Sequence, residues 1–298
     1  MRTLHLLAPC LLAGVVSAQT GYLVDTSLDQ LFLVDCTTGA ATYLADVDNN
    51  GLATAADLTY RFVTGELWTV DLSGGELGTI NPASGVFTPV FQTNLSGWQG
   101  LAWDETTQLF FLANQSDANY SFDPATGTLT LLGNAGAGLL TCLDTDLAGN
   151  LYGLDFFNGD LMLIDKVTGA GTVQSTSLAG IQGLGIDPVT GTWFGSSSTT
   201  SSLYTIDPLT GTNALVGAHG AGITFTKGFD VIDFGFGTYA KNTNFGTACS
   251  TLTISGDTRP VIGTSWDFNI GSLPVNAVVG LLILGVSNPN LPLAGLGA

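Results

Sequence analysis

One hairpin motif recurs five times along this chain at nearly constant intervals. Each copy carries an aspartate or asparagine at its second position and ends in glycine. The copies are VDCTTG (Val34–Gly39), INPASG (Ile80–Gly85), FDPATG (Phe122–Gly127), IDKVTG (Ile164–Gly169) and IDPLTG (Ile206–Gly211). Their closing glycines are 46, 42, 42 and 42 residues apart. This period is typical of four-stranded blades in a β-propeller, so the repeat predicts that architecture.

The residues of the motif have a physical role in tight turns. An Asp or Asn side chain accepts a hydrogen bond from the backbone two residues on, and the closing glycine adopts positive φ without steric cost. The repeated acids are therefore predicted to form turns rather than to catalyse a reaction. They are Asp35, Asp123, Asp165, Asp187 and Asp207.

A second series of segments lies half a repeat before each hairpin. Each segment has an apolar strand, a turn and a second strand that carries aromatic residues. The segments are Leu58–Trp68, Leu101–Phe111, Leu143–Gly153 and Leu184–Gly195. The two series together give four short strands per repeat, which predicts an all-β protein.

The two ends of the repeat region are each incomplete in a complementary way. Tyr22–Asp25 aligns with Tyr152–Asp155, a second strand, so the first blade lacks its own first strand. Gly222–Thr226 aligns with the first-strand segment Gly180–Leu184, but no blade follows it. We therefore predict a five-bladed propeller over residues 19–237, in which N- and C-terminal strands share one blade and leave no free sheet edge.

The regions outside the repeats predict an exported protein with a second module. Arg2, the apolar stretch Leu4–Val16 and the small residues before Gln19 indicate a signal peptide over residues 1–18, cleaved after Ala18. The expected location is therefore extracellular or periplasmic. Residues 238–298 change in character, and their strand candidates predict a small, incomplete, β-sandwich-like module.

Composition restricts the partners. With 24 acidic and 6 basic residues the formal net charge is −18, so the protein repels nucleic acid. The longest apolar run, Ala277–Val286, is far shorter than the roughly 20 residues that cross a bilayer. We expect a monomer without a membrane span, and a protein or glycan as partner.

One segment has the spacing of a calcium-binding loop. DVDNNGLATAAD (Asp46–Asp57) places oxygen-bearing side chains at alternate positions around Gly51, which permits a sharp turn. It resembles a dockerin-type loop, although such loops occur in pairs and only one copy is present. The predicted ligands of a structural calcium ion are Asp46, Asp48, Asn50, Thr54 and Asp57. The alternative is a turn rich in Asp and Asn.

A second candidate site follows from the alignment of the first strands. Gln99 and Gln182 occupy equivalent places, with Ala56, Thr141 and Thr224 as their counterparts. These side chains are predicted to surround one mouth of the central channel. Neutral amides and hydroxyls there would bind a polar uncharged ligand such as a sugar, with Trp98 as a stacking face. Alternatively, they bond only neighbouring backbone groups or channel water.

Catalytic groups are scarce in the sequence, and this favours a non-catalytic binding module. His219 is the only histidine outside the predicted signal. The alternative is a glycoside hydrolase, which needs two carboxylates converging on the channel. Asp144 and Asp146, near a first strand, are the candidates for that reaction.

The blade motif L-[YW]-x-[IV]-D-x-x-T-G resembles the repeats of secreted propellers with YVTN-, NHL- or quinoprotein-like repeats. The resemblance covers Tyr22–Phe229 and implies an architecture, not a reaction.

The region after the propeller is similar to a C-terminal β-domain found on many secreted bacterial proteins. In that family a Pro-Gly-Cys segment follows the stretch that matches Leu293–Ala298, so the resemblance implies a truncated module and a missing partner for Cys249. The other two cysteines, Cys36 and Cys142, are predicted to lie beyond the ~7 Å Cα separation that a disulfide allows.

Overall fold

A computed structural model describes residues 19–47, 52–188 and 190–232, and the backbone of two strands at 253–256 and 268–271. Over these residues the regular structure is entirely β strand, so no helix in this part of the chain could cross a membrane. The predicted signal peptide, and the predicted C-terminal module apart from its two strands, lie outside the described residues.

Five antiparallel sheets of four strands each form the repeat region. Blade 1 contains β1 (Thr20–Asp25), β2 (Gln30–Asp35), β3 (Ala41–Asp46) and β20 (Thr226–Val231). Blade 2 contains β4 (Ala55–Arg61), β5 (Glu66–Asp71), β6 (Glu76–Ile80) and β7 (Phe87–Gln92). Blade 3 contains β8 (Trp98–Asp104), β9 (Leu109–Asn114), β10 (Ala118–Asp123) and β11 (Thr128–Asn134).

The last two blades repeat the pattern. Blade 4 contains β12 (Leu140–Thr145), β13 (Leu151–Asp155), β14 (Asp160–Ile164) and β15 (Gly171–Thr176). Blade 5 contains β16 (Ile181–Ile186), β17 (Trp193–Ser197), β18 (Ser202–Ile206) and β19 (Asn213–Ala218). Beyond the propeller, β21 (Thr253–Gly256) pairs antiparallel with β22 (Phe268–Gly271). The predicted all-β, five-bladed propeller is therefore confirmed.

Blade 1 is closed by strands from opposite ends of the repeat region, as predicted. Strand β20 pairs antiparallel with β1, with Thr226 opposite Asp25 and Phe229 opposite Leu23. The alignment matched Ile223 to Ile181, the first residue of β16. The closing strand instead begins at Thr226, three residues later than predicted. Its predicted beginning instead forms a turn that includes Gly222 at φ 77°, and the backbone N–H groups of Thr224 and Phe225 both donate to Asp25 Oδ2.

The repeated acids form turns as their spacing predicted. In the first hairpin the Thr37 N–H donates to Asp35 Oδ1 at 2.7 Å, and in the last the Leu209 N–H donates to Asp207 Oδ1 at 2.9 Å. The closing glycines of all five hairpins have φ between 70° and 77°. A residue with a side chain would be strained there, which explains why glycine closes every copy.

The hydrophobic core is divided into five clusters, one at each interface between neighbouring blades. Trp98 and Phe110 are fully buried between blades 2 and 3, and Phe229 is fully buried between blades 5 and 1. Each large apolar side chain buried in this way contributes about 1.5–3 kcal/mol. Packing between blades, rather than within one sheet, therefore holds the ring together.

The cysteines follow this division. Cys36 belongs to the cluster between blades 5 and 1, and Cys142 to the cluster between blades 4 and 5. The two form no disulfide, as predicted. Cys249 lies outside the described residues.

Candidate functional site

The first strands of the blades, β4, β8, β12, β16 and β20, contact one another in sequence around the central axis. Their registers are equivalent, because each begins opposite the end of a second strand: Trp98 faces Asn114, and Thr226 faces Asp25. Each first strand also carries a bulge near its start, which redirects side chains locally. Residues at the same register therefore form layers across the axis.

The second register position forms one end of the channel, which we call the amide mouth. It is defined by Gln99, Thr141, Gln182 and Lys227, with Ala56 as the fifth member of the layer. A cavity of about 350 Å³ opens there. Its lining residues are Thr26, Thr54, Leu72, Gln99, Leu139, Thr141, Phe156, Gln182, Phe225 and Lys227.

The polar groups of the amide mouth are joined by hydrogen bonds. Lys227 Nζ donates to Gln99 Oε1 at 2.6 Å and lies 3.4 Å from Gln182 Oε1. Gln182 Nε2 donates to Ser198 Oγ at 2.9 Å, and Thr141 Oγ1 donates to the Ile181 carbonyl at 2.8 Å. Both glutamines are thus oriented with their carbonyl oxygens toward the lysine.

Lys227 is a buried cation, with only 4% of its surface exposed. Burial lowers the pKa of Lys227 to about 8, although the Asp57 carboxylate acts in the opposite direction. At neutral pH the amine remains largely protonated. The amide mouth therefore has a positively charged group at its base.

The structure brings together three of the five residues predicted for this mouth: Gln99, Thr141 and Gln182. The other two are placed elsewhere, which corrects the sequence prediction. Trp98 is fully buried, and its Nε1 donates to Thr93 Oγ1 at 3.0 Å, so it offers no stacking face. Thr224 lies in the exposed turn before β20, where its hydroxyl meets Ser27 Oγ, and Lys227 occupies the register position predicted for it.

One position deeper, the Asp57 carboxylate lies on the axis. Its Oδ2 accepts the N–H groups of Leu101 at 2.9 Å and Leu143 at 3.1 Å, while Oδ1 accepts the N–H of Leu58 at 2.9 Å. Three blades are therefore joined through one side chain. The corresponding residue in the closing strand is Gly228, where an added Cβ would lie 2.8 Å from the Asp57 Cα.

This placement corrects the prediction that Asp57 ends a calcium loop. The residue is in strand β4 and fully buried, and both carboxylate oxygens already accept backbone N–H groups. Among the other predicted ligands, Asp46 accepts a hydrogen bond from Gln30, and the Thr54 hydroxyl donates to the Ala53 carbonyl. Asp48 and Asn50 lie outside the described residues, so calcium binding by this segment stays a prediction.

The described part of the chain holds no group of three or more His, Cys, Asp or Glu side chains suited to a metal ion. The connection between blades 1 and 2, residues 47–54, is nevertheless longer than the corresponding connections at 93–97 and 135–139. The extra residues of the 46-residue interval therefore fall mostly in this connection.

The fifth register position forms the opposite end of the channel, which we call the acid mouth. It is defined by Thr59, Asp144 and Asp230, with Ala102 and Gly185 as the other members of the layer. All three lie in the wall of a cavity of about 450 Å³. Aromatic and acidic neighbours also line this cavity, among them Tyr60, Phe62, Trp103, Glu105 and Asp146.

Both acids of this mouth accept hydrogen bonds from an adjacent blade. The Ile186 N–H donates to Asp144 Oδ2 at 2.6 Å, and the Tyr60 N–H donates to Asp230 Oδ2 at 2.5 Å. Burial raises the pKa of Asp144 to about 7, although backbone N–H donors oppose the change. Burial also raises the pKa of Asp230 well above its usual range, and the Asp144 charge adds to this effect.

These contacts correct the pair of acids predicted for glycoside hydrolysis, Asp144 and Asp146. Asp146 lines the same cavity, but its Oδ1 accepts the N–H groups of Ala148 at 2.9 Å and Asn150 at 2.8 Å, which makes it a turn former. The second buried acid of the mouth is Asp230, which sequence reasoning missed.

A single error of register concealed both charged residues of the closing strand. The alignment matched Gly222-Ile223 to Gly180-Ile181, two identical dipeptides. The structure matches Lys227-Gly228-Phe229 to Gln182-Gly183-Leu184 instead. The pattern of a polar residue, glycine and a large apolar residue was the signal that could have located Lys227 and Asp230.

His219 is a structural residue rather than a solvated one. It is 1% exposed, its Nδ1 lies 3.0 Å from the Gly39 carbonyl oxygen, and its Nε2 lies 3.0 Å from Ser196 Oγ. Burial lowers the pKa of His219 to about 4. The imidazole is therefore neutral at physiological pH and links blade 5 to the first hairpin.

The five four-stranded sheets around a central channel define this protein as a five-bladed repeat β-propeller. It is similar to a chain in a crystal structure of a nidogen/laminin complex, with a TM-score of 0.54 and 13% identity, covering 72% of this chain and 98% of that one. A structural genomics protein of unknown function from Bacteroides thetaiotaomicron is similar over 67% of this chain and 58% of its own, with 16% identity and a TM-score of 0.49.

Hydrazine synthase from Kuenenia stuttgartiensis also matches, with 15% identity and a TM-score of 0.43, over 56% of this chain and 50% of that one. No protein-family model matches the sequence, and no curated protein matches it. The first similarity supports the propeller fold, and at such low identity it extends to the fold alone.

Proposed function

We propose that this protein is a non-catalytic, exported binding module that holds a protein or glycan partner at its amide mouth. The observation that carries the proposal is a single cavity with polar side chains at its floor and apolar side chains at its rim. The floor is formed by Gln99, Gln182 and Lys227, and the rim includes Phe156 and Phe225. Ligand sites commonly combine apolar walls with a few convergent polar groups in this way.

The state of the acidic residues supports binding over catalysis. The hairpin acids hold turns, and Asp57 joins three blades. At the face that carries the amide mouth, Asp25 and Asp155 accept backbone N–H groups from Ser27 and Phe157 in their own loops, and Asp25 also accepts the N–H of Phe225 from the turn before β20. These carboxylates stabilise the loops that a partner would meet.

The fold similarity is consistent with this proposal, because the chain in the nidogen/laminin structure belongs to a complex between proteins. A protein partner for the present chain rests on the amide mouth itself, and export rests on the signal-like residues at the beginning of the sequence.

A pair of surface substitutions tests the proposal. Phe225→Ser removes an aromatic side chain from the rim, where Phe225 is 43% exposed. Leu209→Ser removes an 86% exposed apolar side chain from a turn at the other end of the blades and serves as the matched control. The purified proteins would be applied to a glycan array and to immobilised candidate proteins, and Kd would be measured for each ligand found.

We expect Leu209→Ser to bind as the unaltered protein does, and Phe225→Ser to bind at least about tenfold more weakly. Absence of any ligand, or equal binding by the two variants, would contradict the proposal. Thermal unfolding of both variants serves to separate lost contacts from lost folding.

A second candidate function is glycoside hydrolysis at the acid mouth. The specific observation in its favour is that Asp144 and Asp230 share one cavity and that burial raises the pKa of Asp144 to about 7. The raised pKa of Asp230 opposes it, because the second carboxyl must be ionised to act as base or nucleophile. An acid that stays protonated near neutral pH is suited to donate a proton to a leaving group, and a second carboxylate is needed opposite it.

Turnover of aryl glycosides tests this alternative. Asp144→Asn would lower kcat at least about a hundredfold if Asp144 is the proton donor. Asp165→Asn, which changes a turn-forming acid outside the lining of this cavity, is the control and would leave kcat nearly unchanged. Failure of the unaltered protein to hydrolyse any member of the panel would count against this function.

A further inference from the structure

The cation in the amide mouth forms no salt bridge with the described residues. The Asp57 carboxyl, one register position deeper, acts on it electrostatically, but burial raises the pKa of Asp57 well above its usual range, and its oxygens already accept backbone N–H groups. Lys227 is 4% exposed, and the salt bridges among the described residues involve other cations, Arg61 and Lys166. A buried ammonium is normally paired with a carboxylate, because taking an unpaired charge out of water is costly. Lys227 instead meets two neutral amide oxygens at the bottom of an open cavity.

The donors at the base of the cavity exceed the acceptors. An ammonium has three N–H bonds. Its contacts to the Gln99 and Gln182 oxygens, at 2.6 and 3.4 Å, use at most two of them. Within the described residues, the Gln99 amide nitrogen donates no hydrogen bond, and it is not among the buried atoms, so a ligand can reach it. A ligand oxygen could therefore accept from both Lys227 and Gln99.

The walls favour an anion with an apolar body. None of the residues that line the cavity is acidic, although the chain as a whole carries a net charge of −18. The side chains of Leu72, Leu139, Phe156 and Phe225 surround the polar base.

We propose that the amide mouth binds the carboxylate of an amphipathic organic acid, with the carboxylate on Lys227 and Gln99 and the apolar part against Phe156 and Phe225. This inference rests on the function proposed for the same mouth and defines its ligand chemistry. The lysine at register position two replaces the neutral threonine that the sequence alignment placed there, and this change converts a site for neutral sugars into a site for an anion.

The charge of the site selects a carboxylate over other oxygen ligands. A neutral hydroxyl adds no counter-charge for the buried ammonium within the cavity. A phosphate dianion is typically held by guanidinium groups or several backbone N–H groups, whereas this cavity supplies one ammonium and one amide donor. One singly charged carboxylate matches one cation.

Binding of 3-phenylpropionate and of its neutral analogue 3-phenylpropionamide to the whole protein tests the proposal. Isothermal titration calorimetry at pH 7 and 0.15 M salt would measure both affinities. We expect the acid to bind at least about tenfold more tightly than the amide, because only the acid compensates the buried ammonium. This comparison uses the unaltered protein and does not depend on the folding of any variant.

Two substitutions locate the interaction. Lys227→Met is expected to abolish the preference for the acid. Lys166→Gln removes the same charge beside Asp104, outside the lining of this cavity, and is expected to keep the preference. Equal affinity for acid and amide in the unaltered protein, or an unchanged preference in Lys227→Met, would overturn the proposal.

A carboxylate of this kind could belong to a free metabolite or to the C-terminus of a peptide. Tripeptides that end in phenylalanine, with a free or an amidated carboxyl group, distinguish the two sources. Binding of the free acid and of the unblocked peptide supports a chain terminus, and binding of the small acid alone supports a metabolite. If array ligands are lost in Phe225→Ser while acid and amide bind equally, this inference fails and the proposed function stands.

Discussion

The two mouths of the channel are built from the same five strands, three register positions apart, yet they differ completely in chemistry. The amide mouth has one buried cation among neutral amides, and the acid mouth has two buried carboxyl groups beside aromatic rings. Asp57 lies between them and is bonded to backbone groups of three blades. A repeated strand therefore fixes where a side chain points, while single substitutions within the repeat decide what each mouth can bind.

The difference extends to the response to pH. The acid mouth holds carboxyl groups whose pKa values are raised by burial, so a rise in pH toward neutrality forces charge into it. The amide mouth holds an amine whose pKa is lowered by burial, so a rise in pH above about 8 removes charge from it. Alkalinity thus destabilises one end of the channel and stabilises the other, over different ranges of pH.

Loss of the layer between the mouths should have the largest effect. Asp57→Ala leaves the buried N–H groups of Leu101 and Leu143 without an acceptor, and each such group costs about 1–3 kcal/mol. We expect the free energy of unfolding to fall by about 4 kcal/mol, as measured by urea denaturation. Asp57→Asn retains one acceptor oxygen for these N–H groups, so it should cost less than half as much. Equal losses in the two variants would show that the hydrogen bonds do not matter.

Asp144→Asn should remove a pH dependence specific to the acid mouth. Because the folded-state pKa of Asp144 is about 7, against an ordinary 3.8, the folded protein keeps the proton longer than the unfolded chain does. Stability from this group is therefore present below pH 4 and is lost as pH rises to 7, by as much as about 4 kcal/mol. Urea melts at pH 4, 5.5 and 7 should show this loss for the unaltered protein and a smaller one for the variant. Parallel curves for both proteins would contradict the assignment.

Lys227→Met should remove the pH dependence of stability that is specific to the amide mouth. The folded-state pKa of Lys227 is about 8, against an ordinary 10.5, so its charge destabilises the fold below pH 8, and this cost disappears as pH rises to 10.5. The gain for the unaltered protein relative to the variant should reach about 3 kcal/mol. The free energy of unfolding would be measured at pH 7.5, 9 and 10.5 for both proteins. The difference between them isolates the contribution of Lys227, because all other groups titrate alike in both. A difference that does not change with pH would be the contrary result.

Thr141→Val should have the smallest effect. It removes the 2.8 Å hydrogen bond to the Ile181 carbonyl between blades 4 and 5 and keeps the side-chain shape, so we expect a loss of about 1 kcal/mol that does not vary with pH. Thr172→Val, at an exposed position of β15, is the control and should change stability by less than about 0.5 kcal/mol. Thermal unfolding of both variants measures the difference.

The sequence predicted the blades well because their hairpins depend on local chemistry. The acid at the second position and the closing glycine determine each turn within six residues, and their period gives the blade count. The shared blade also followed from counting strands. These features do not require knowledge of distant contacts.

The site was predicted less completely because it depends on register across the ring. The dipeptide Gly222-Ile223 imitates Gly180-Ile181, and only the pairing of Thr226 with Asp25 shows which residues reach the axis. Asp57 satisfied a calcium-loop spacing and also followed Ala56 in a first strand. Burial decided between these two interpretations, because the backbone N–H groups that bind Asp57 come from blades 3 and 4, remote in sequence.

Strand β20 contributes Lys227 to one mouth and Asp230 to the other, and it is held in blade 1 by pairing with β1. A tensile load applied beyond residue 232 would act first on this strand, and peeling it away would dismantle both ends of the channel in one event. A ligand on Lys227 would resist that rupture by RT ln(1 + [L]/Kd), about 2.7 kcal/mol at a concentration one hundred times Kd. Occupancy of the proposed site would thereby add to the stability of the closed ring.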